Sequence, residues 1–227
     1  MLYPRLTKCM PDEGRHSPFQ ILHKGLRFGH CRMLSDLGAQ DFGDEATADR
    51  LLPQLVRQLD LYRAVADAAQ AALLAEFGQR GLAAPASSGE DHAGHLAALA
   101  ELQSLVRAVA VAAPQRRRPA GRSIYRCFAL YASADMERMD EEETLLLSSL
   151  HLDLDDDTLR AIEARTLGGL TTEHCQFLLQ LLLPALAPAE LEALLGRLRR
   201  HMEPSRYAAT VEPVVHPLMQ AGRVAAA

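Results

Sequence analysis

Tryptophan is absent from this chain, and aromatic residues of all kinds make up only 5% of it. Its 48% hydrophobic content comes largely from Ala and Leu, a composition that favours helices. No run of about 18 apolar residues occurs, so nothing in the sequence reads as a membrane span. The N-terminal MLYPRLTKCMPDEG lacks the apolar core of a secretory leader. There is no C-x-x-C pair. Cys9, Cys31, Cys127 and Cys175 are scattered, as reduced thiols of a cytosolic protein would be. Positive charge is not in excess, and a formal net charge of -5 argues against a general nucleic-acid binder. Also missing are a G-x-S-x-G turn, a P-loop and a Gly-rich dinucleotide fingerprint. These absences lead to the expectation of a cytoplasmic, non-enzymatic protein with neither nucleic acid nor membrane as partner.

What is present is helical pattern. A length of 227 residues suits one domain, or one domain with an appended subdomain. Residues 1–16 read as an irregular lead-in. Ser17-Pro18-Phe19-Gln20 is a helix start, with Ser as cap, Pro in the first turn and Gln reaching back. Phe19, His23, Leu26, His30, Met33 and Leu37 then alternate at four and three, a bundle seam that Gly38 can end. A second helix is expected from Asp44 or Thr47 to about Phe77, with Pro53 marking a kink or its true first turn. Its apolar line is Leu55, Leu59, Tyr62, Ala66, Ala69, Leu73 and Phe77. Gly78 to Gly89 reads as a loop, and Ser87 with Glu90 or Ser88 with Asp91 can cap the next helix. In that helix periodicity places His95 nearer the apolar centre than His92. Pro114 to Arg122 reads as a solvated basic loop, with an acidic partner or anion as the lesser reading. His151 to Asp157 is an acidic turn; it lacks the glycine and closing Glu of a calcium loop, so a capping role is expected. Further helices are expected over 157–166, 171–186 and 188–201, with a short one after Pro204 and then the tail VAAA. They would pad the bundle or form a homodimer surface.

The stretch that organises the rest is Ile124 to Leu150. At 100° per residue one face carries Ile124, Phe128, Tyr131, Asp135, Glu142 and Leu146, flanked by Arg138, Met139 and Leu150. Asp135, Arg138 and Glu142 therefore interrupt an apolar stripe. Charges on the buried side of a helix are costly unless they are paired or bound to something.

This helix, with Met139, the acidic run Asp140-Glu141-Glu142-Glu143 and a leucine run, resembles the last core helix of bacterial hemerythrin-like (HHE) proteins. His23-Lys24-Gly25-Leu26-Arg27 resembles that family's first-helix motif, and Gly38-Ala39-Gln40-Asp41-Phe42 the turn after it. Asp91-His92-Ala93-Gly94-His95 resembles the third-helix motif. The tail around Asp156, Leu159, Pro184-Ala185-Leu186 and Glu190 has the family's look as well. The resemblance implies an all-α fold: an antiparallel four-helix bundle over 17–150, with extra C-terminal helices over 151–227. It also implies a metal set of His23, Asp67, His92 and Glu142, with His95 as alternative ligand. Two family histidines are replaced, one by Arg138 four residues before Glu142, the other by Arg63 four residues before Asp67.

Arg has no lone pair to offer a metal. At about 5 Å and an effective dielectric near 20, a unit-charge pair is worth about 3 kcal/mol, and a divalent ion feels roughly twice that repulsion. The expectation is a metal-free core closed by Arg63–Asp67 and Arg138–Glu142 ion pairs, with Asp135, His30, Tyr62 and Tyr131 as polar neighbours. No cofactor is expected. The partner would be a protein or a small ligand. The alternative is one or two irons responding to O2, NO or redox state. On this reading Arg63→His with Arg138→His should restore iron uptake.

Overall fold

A computed structural model describes residues 14–82 and 87–220, with side chains placed outside 87–91, 114 and 218–220. Every regular element among them is a helix. Four long ones lead: α1 (Gln20–Ala39), α2 (Glu45–Arg80), α3 (Ser87–Ala110) and α4 (Pro114–Glu141). A π-helical turn, Glu142–Leu146, continues α4 into α5 (Leu147–Asp153). Then follow α6 (Asp156–Gly169), α7 (Thr172–Ala185), α8 (Pro188–His201), α9 (Pro204–Thr210) and α10 (Glu212–Gln220). Contacts run α1 to α2, α2 to α3, α3 to α4 and α4 back to α1, a closed ring. Outside the ring, α7 lies along α1 and α6 along α2.

The α1 seam is buried along its whole length, including His23 and His30. Three residues ahead of the first helical residue, Ser17 Oγ accepts from the Phe19 and Gln20 amides, so the Ser-Pro start steadies the entry to α1 while Phe19, not Ser17, holds the N-cap position. Asp44 caps α2 through the Thr47 amide. At its far end α2 runs to Arg80 before Gly81 stops it with φ 65, a left-handed backbone that Gly adopts without a Cβ penalty. The loop expected from Gly78 is therefore shorter, and α3 begins at Ser87. Residues 83–86 and the side chains of Ser87, Ser88, Glu90 and Asp91 fall outside the described part. So do residues 1–13, which include Cys9 and most of the lead-in, and 221–227, which hold the VAAA tail. The last short helix is two, α9 and α10. Asp155 caps α6 through the Thr158 amide, as an acidic turn can. Cys31, Cys127 and Cys175 are unpaired.

The basic segment 114–122 is corrected from loop to helix. Pro114 opens α4 where a missing N–H costs nothing. Arg118 then grips Asp41 through two bonds of 2.9 and 2.7 Å. Arg117 reaches Glu45 at 3.1 Å and the Ala112 carbonyl at 3.2 Å. Gly121 lies against buried Phe42, and a Cβ there would stand 2.3 Å from Phe42 Cγ. These tertiary contacts hold the segment helical despite Pro119.

A second, smaller apolar cluster joins Phe19, Leu73, Phe77, Leu150, Leu159 and Ile162. Over it Arg15 donates to the His151 carbonyl at 2.6 Å, the Leu154 carbonyl at 2.8 Å and Asp156 Oδ1 at 3.1 Å. His16 Nε2 lies 3.1 Å from Glu163. The residues just before α1 are thus tied to the joint between α5 and α6.

Candidate functional site

The heptad spacing of α1 brings His23, Arg27 and His30 to one face, and that of α4 brings Tyr131, Asp135 and Arg138 to the facing one. Asp135 is the centre. It is 3% exposed and its Oδ2 lies 2.7 Å from His30 Nε2. Its Oδ1 accepts from Arg138 Nε at 3.0 Å and Nη2 at 2.8 Å. His95 Nδ1 stands 3.2 Å from the same oxygen. Burial pushes the Asp135 carboxyl up, but the bond from His30 and the Arg138 charge outweigh it and hold the group well below the usual carboxylate range. Arg138 uses Nη1 for Glu142 at 2.5 Å.

Glu142 and its neighbour Glu143 both reach His23. On a regular α-helix adjacent side chains diverge by about 100°. Here the turn is widened: the Leu147 amide bonds back to the Glu142 carbonyl, five residues away. Glu142 Oε2 lies 3.1 Å from His23 Nε2, and Glu143 Oε1 lies 2.8 Å from Nδ1. Arg27 adds a 2.6 Å bond to Glu143. With a carboxylate at each ring nitrogen, His23 is arranged to be an imidazolium, which donates from both. The cations Arg27, His23 and Arg138 are thereby matched by Asp135, Glu142 and Glu143.

Buried polar atoms remain around this cluster. His30 Nδ1, His95 Nε2 and Tyr131 Oη have no hydrogen-bond partner among the described residues. Tyr62 Oη is satisfied, accepting from Gln58 and donating to the Leu26 carbonyl at 3.3 Å. Burial holds Tyr131 well above the ordinary phenol range. A cavity of about 120 Å³ opens beside the cluster, lined on its polar side by His23, His95, Asp135, Arg138 and Glu142. Phe19, Leu22, Leu26, Val65, Leu73 and Ile162 are among its apolar lining.

Sequence reasoning placed His23, His30, Asp135, Arg138 and Glu142 together, as they are. Periodicity ranked His95 correctly: its side chain is 6% exposed against 22% for His92. The Arg63–Asp67 pair is corrected. Its atoms are 3.9 Å apart with side chains 46% and 50% exposed, a surface pair at the edge of the α2 stripe. Asp67 lies 3.2 Å from His92 at the rim and does not line the cavity. The implied metal set His23, Asp67, His92 and Glu142 is therefore split between core and rim. Among the described residues no three His, Cys, Asp or Glu side chains are arranged to hold a metal ion. Arg27 and Glu143 were missed; the run of glutamates beside Glu142 was the only signal for the second.

The cluster sets a pH signature. Burial lowers the His23 pKa, but its bonds to Glu142 and Glu143 outweigh this and raise it above 6.5. Its contribution is fully present below the unfolded value and is lost as pH rises through the raised folded one. For Glu142 and Glu143, burial pushes up, yet bonds to His23 and the nearby guanidinium charges hold both below 4.5. Their contribution is present above the unfolded value and lost on acidification. Burial, only partly offset by the Asp135 charge, depresses His95 to about 4. Its effect falls in a different window: between about pH 6.5 and 4 the unfolded chain takes up a proton that the folded one refuses. Urea denaturation should show stability declining as pH rises from about 6.5 through the raised His23 value, and His23→Gln should flatten that limb while lowering stability near pH 6. A limb unchanged in the variant would assign the titration to another group.

Comparison with protein-family models, curated proteins and solved structures found no match for this chain.

Proposed function

We propose that this is a non-enzymatic, hemerythrin-like protein, an antiparallel four-helix bundle with added C-terminal helices, whose metal site has become an ion cluster beside a small-ligand cavity. One observation carries the reading. The Arg138 guanidinium lies within hydrogen-bond distance of both Asp135 and Glu142, which supports reading it as a fixed cation standing where the resemblance would put an iron-binding histidine. The residues do not fit a di-iron centre: His23 is engaged at both ring nitrogens, and the second-helix pair is on the surface. A cavity next to an internally neutralised cluster suits reversible binding of a small molecule, and the binding would be read out through the helices that line it.

Elemental analysis of protein produced in iron-rich medium, with its near-ultraviolet spectrum, tests this. The expected result is iron far below one ion per chain and no charge-transfer band. Stoichiometric iron with such a band would replace this reading by that of an oxygen-, NO- or redox-responsive iron protein.

A further inference from the structure

A second cavity, of about 140 Å³, lies at the corner where α8 gives way to α9 and is lined from α6, α8 and α9. Its walls are apolar: Ala164 and Leu167 of α6, Leu194 and Leu198 of α8, and Met202 at the corner. Its charged lining is mostly cationic, with Arg160, Arg197, His201 and Arg206 against Glu163 and Glu203. None of these side chains belongs to the ion cluster between α1 and α4.

The two carboxylates are already engaged. Glu163, 4% exposed, accepts from Arg197 Nη2 at 3.3 Å and lies 3.1 Å from His16. Glu203 caps α9, accepting from the Arg206 amide at 3.1 Å and from Ser205 Oγ. Arg160 turns aside to Asp157 at 2.7 Å. The other two guanidiniums keep donors in reserve. Arg206 gives Nη1 to the Gly168 carbonyl at 2.9 Å, and Nη2 to those of Leu167 and Leu170 at 3.1 and 2.7 Å. These carbonyls end α6, and a helix terminus supplies only about half a negative charge, so part of the Arg206 charge has no counter-charge. Arg206 Nε and Arg197 Nε and Nη1 have no partner among the described residues, and none of the three is sealed from solvent. A carboxylate can therefore reach them, and it matches the guanidinium fork. A cation would meet two guanidiniums instead.

We propose that this corner cavity binds a small carboxylate with an apolar body of about six heavy atoms. The body lies among Leu167, Leu194, Leu198 and Met202, and the carboxylate meets Arg197 and Arg206 at the rim. The size follows from the volume, close to the roughly 150 Å³ that accepts benzene in another protein. The site is separate from the cavity beside the ion cluster and does not rest on the reading of that cluster.

Calorimetric titration of the full chain with four probes tests the proposal: cyclohexanecarboxylate, cyclohexylmethanol, cyclohexylmethylammonium and acetate. The first should saturate at one per chain. The alcohol, which has the body without the charge, should bind about ten-fold more weakly, the worth of a charge-assisted hydrogen bond at a wet rim. The ammonium and acetate should bind more weakly still. Methyl resonances of Leu194, Leu198 and Met202 should move with the carboxylate while those of Leu22 and Leu26, beside the other cavity, stay in place. Arg197→Gln should remove most of the carboxylate's advantage over the alcohol. Equal affinity for carboxylate and alcohol, tighter binding of the ammonium, shifts at Leu22 and Leu26 instead, an unchanged ratio in Arg197→Gln, or no saturable binding would each overturn the proposal. Should Arg197→Gln fail to fold, the charge series and the methyl shifts of the unaltered protein still decide. The iron measurement bears on the ion cluster alone, so either reading can fail without the other.

Discussion

Asp135→Asn is expected to cost the fold about 3–5 kcal/mol, the penalty for leaving a buried charge without its partner. The amide has the shape of the carboxylate, so the loss reports charge and hydrogen bonding. An anionic acceptor is removed from Arg138, from His30 and from the neighbourhood of His95. The amide nitrogen, a donor, must then face one of these donors. Guanidinium denaturation of the two proteins measures the difference. Combining the change with Arg138→Met should cost less than the sum of the single changes, because the double variant no longer carries the stranded cation. Asp67→Asn, on the half-exposed pair, should stay within about 0.5 kcal/mol. A loss below about 1 kcal/mol for Asp135→Asn would mean that the cluster is not the anchor its burial indicates.

Arg138→His carries the second large effect, a gain of metal binding. The substitution removes the group that, among the described residues, grips Asp135 and Glu142 together. It also places an imidazole beside those carboxylates and His23, a donor set suited to one zinc or ferrous ion. Uptake of one ion per chain is expected where the unaltered protein takes none. Added metal should raise the melting temperature, by an amount equivalent to about 2.7 kcal/mol at a hundred-fold excess over Kd. Arg63→His adds nothing to this, because Arg63 and Asp67 face solvent. That reverses the expectation that both replacements are needed. A folded variant with no ion bound would show that the carboxylates are misplaced for a metal even without the guanidinium.

The α1 seam could be read directly, since its four-and-three spacing is the packing geometry itself and Ser17-Pro18 marks its start. Asp135, Arg138 and Glu142 were legible for the opposite reason: charges on an apolar stripe demand one another. Segment 114–122 was not, because its helicity depends on Asp41 and Phe42, some seventy-odd positions earlier in the chain. Glu143 was hidden by the π turn, which breaks the 100° rule at the one place where it mattered. Arg63 and Asp67 were drawn inward by resemblance, although their edge position on the α2 stripe suited a boundary surface pair equally well. For His95 and His92 the two signals disagreed: periodicity favoured His95, the more buried of the pair, and resemblance favoured His92.

The clasp made by Arg15 joins positions 141 residues apart. Most contacts in a helical protein are local and form quickly, while closing a long loop delays the contacts that depend on it. The ring of four helices lies inside this loop, so its members can assemble before the clasp engages. Arg15 therefore belongs among the last contacts made during folding. Contacts absent from the folding transition state act on escape from the native basin, so the clasp governs how long the finished molecule survives more than how fast it forms.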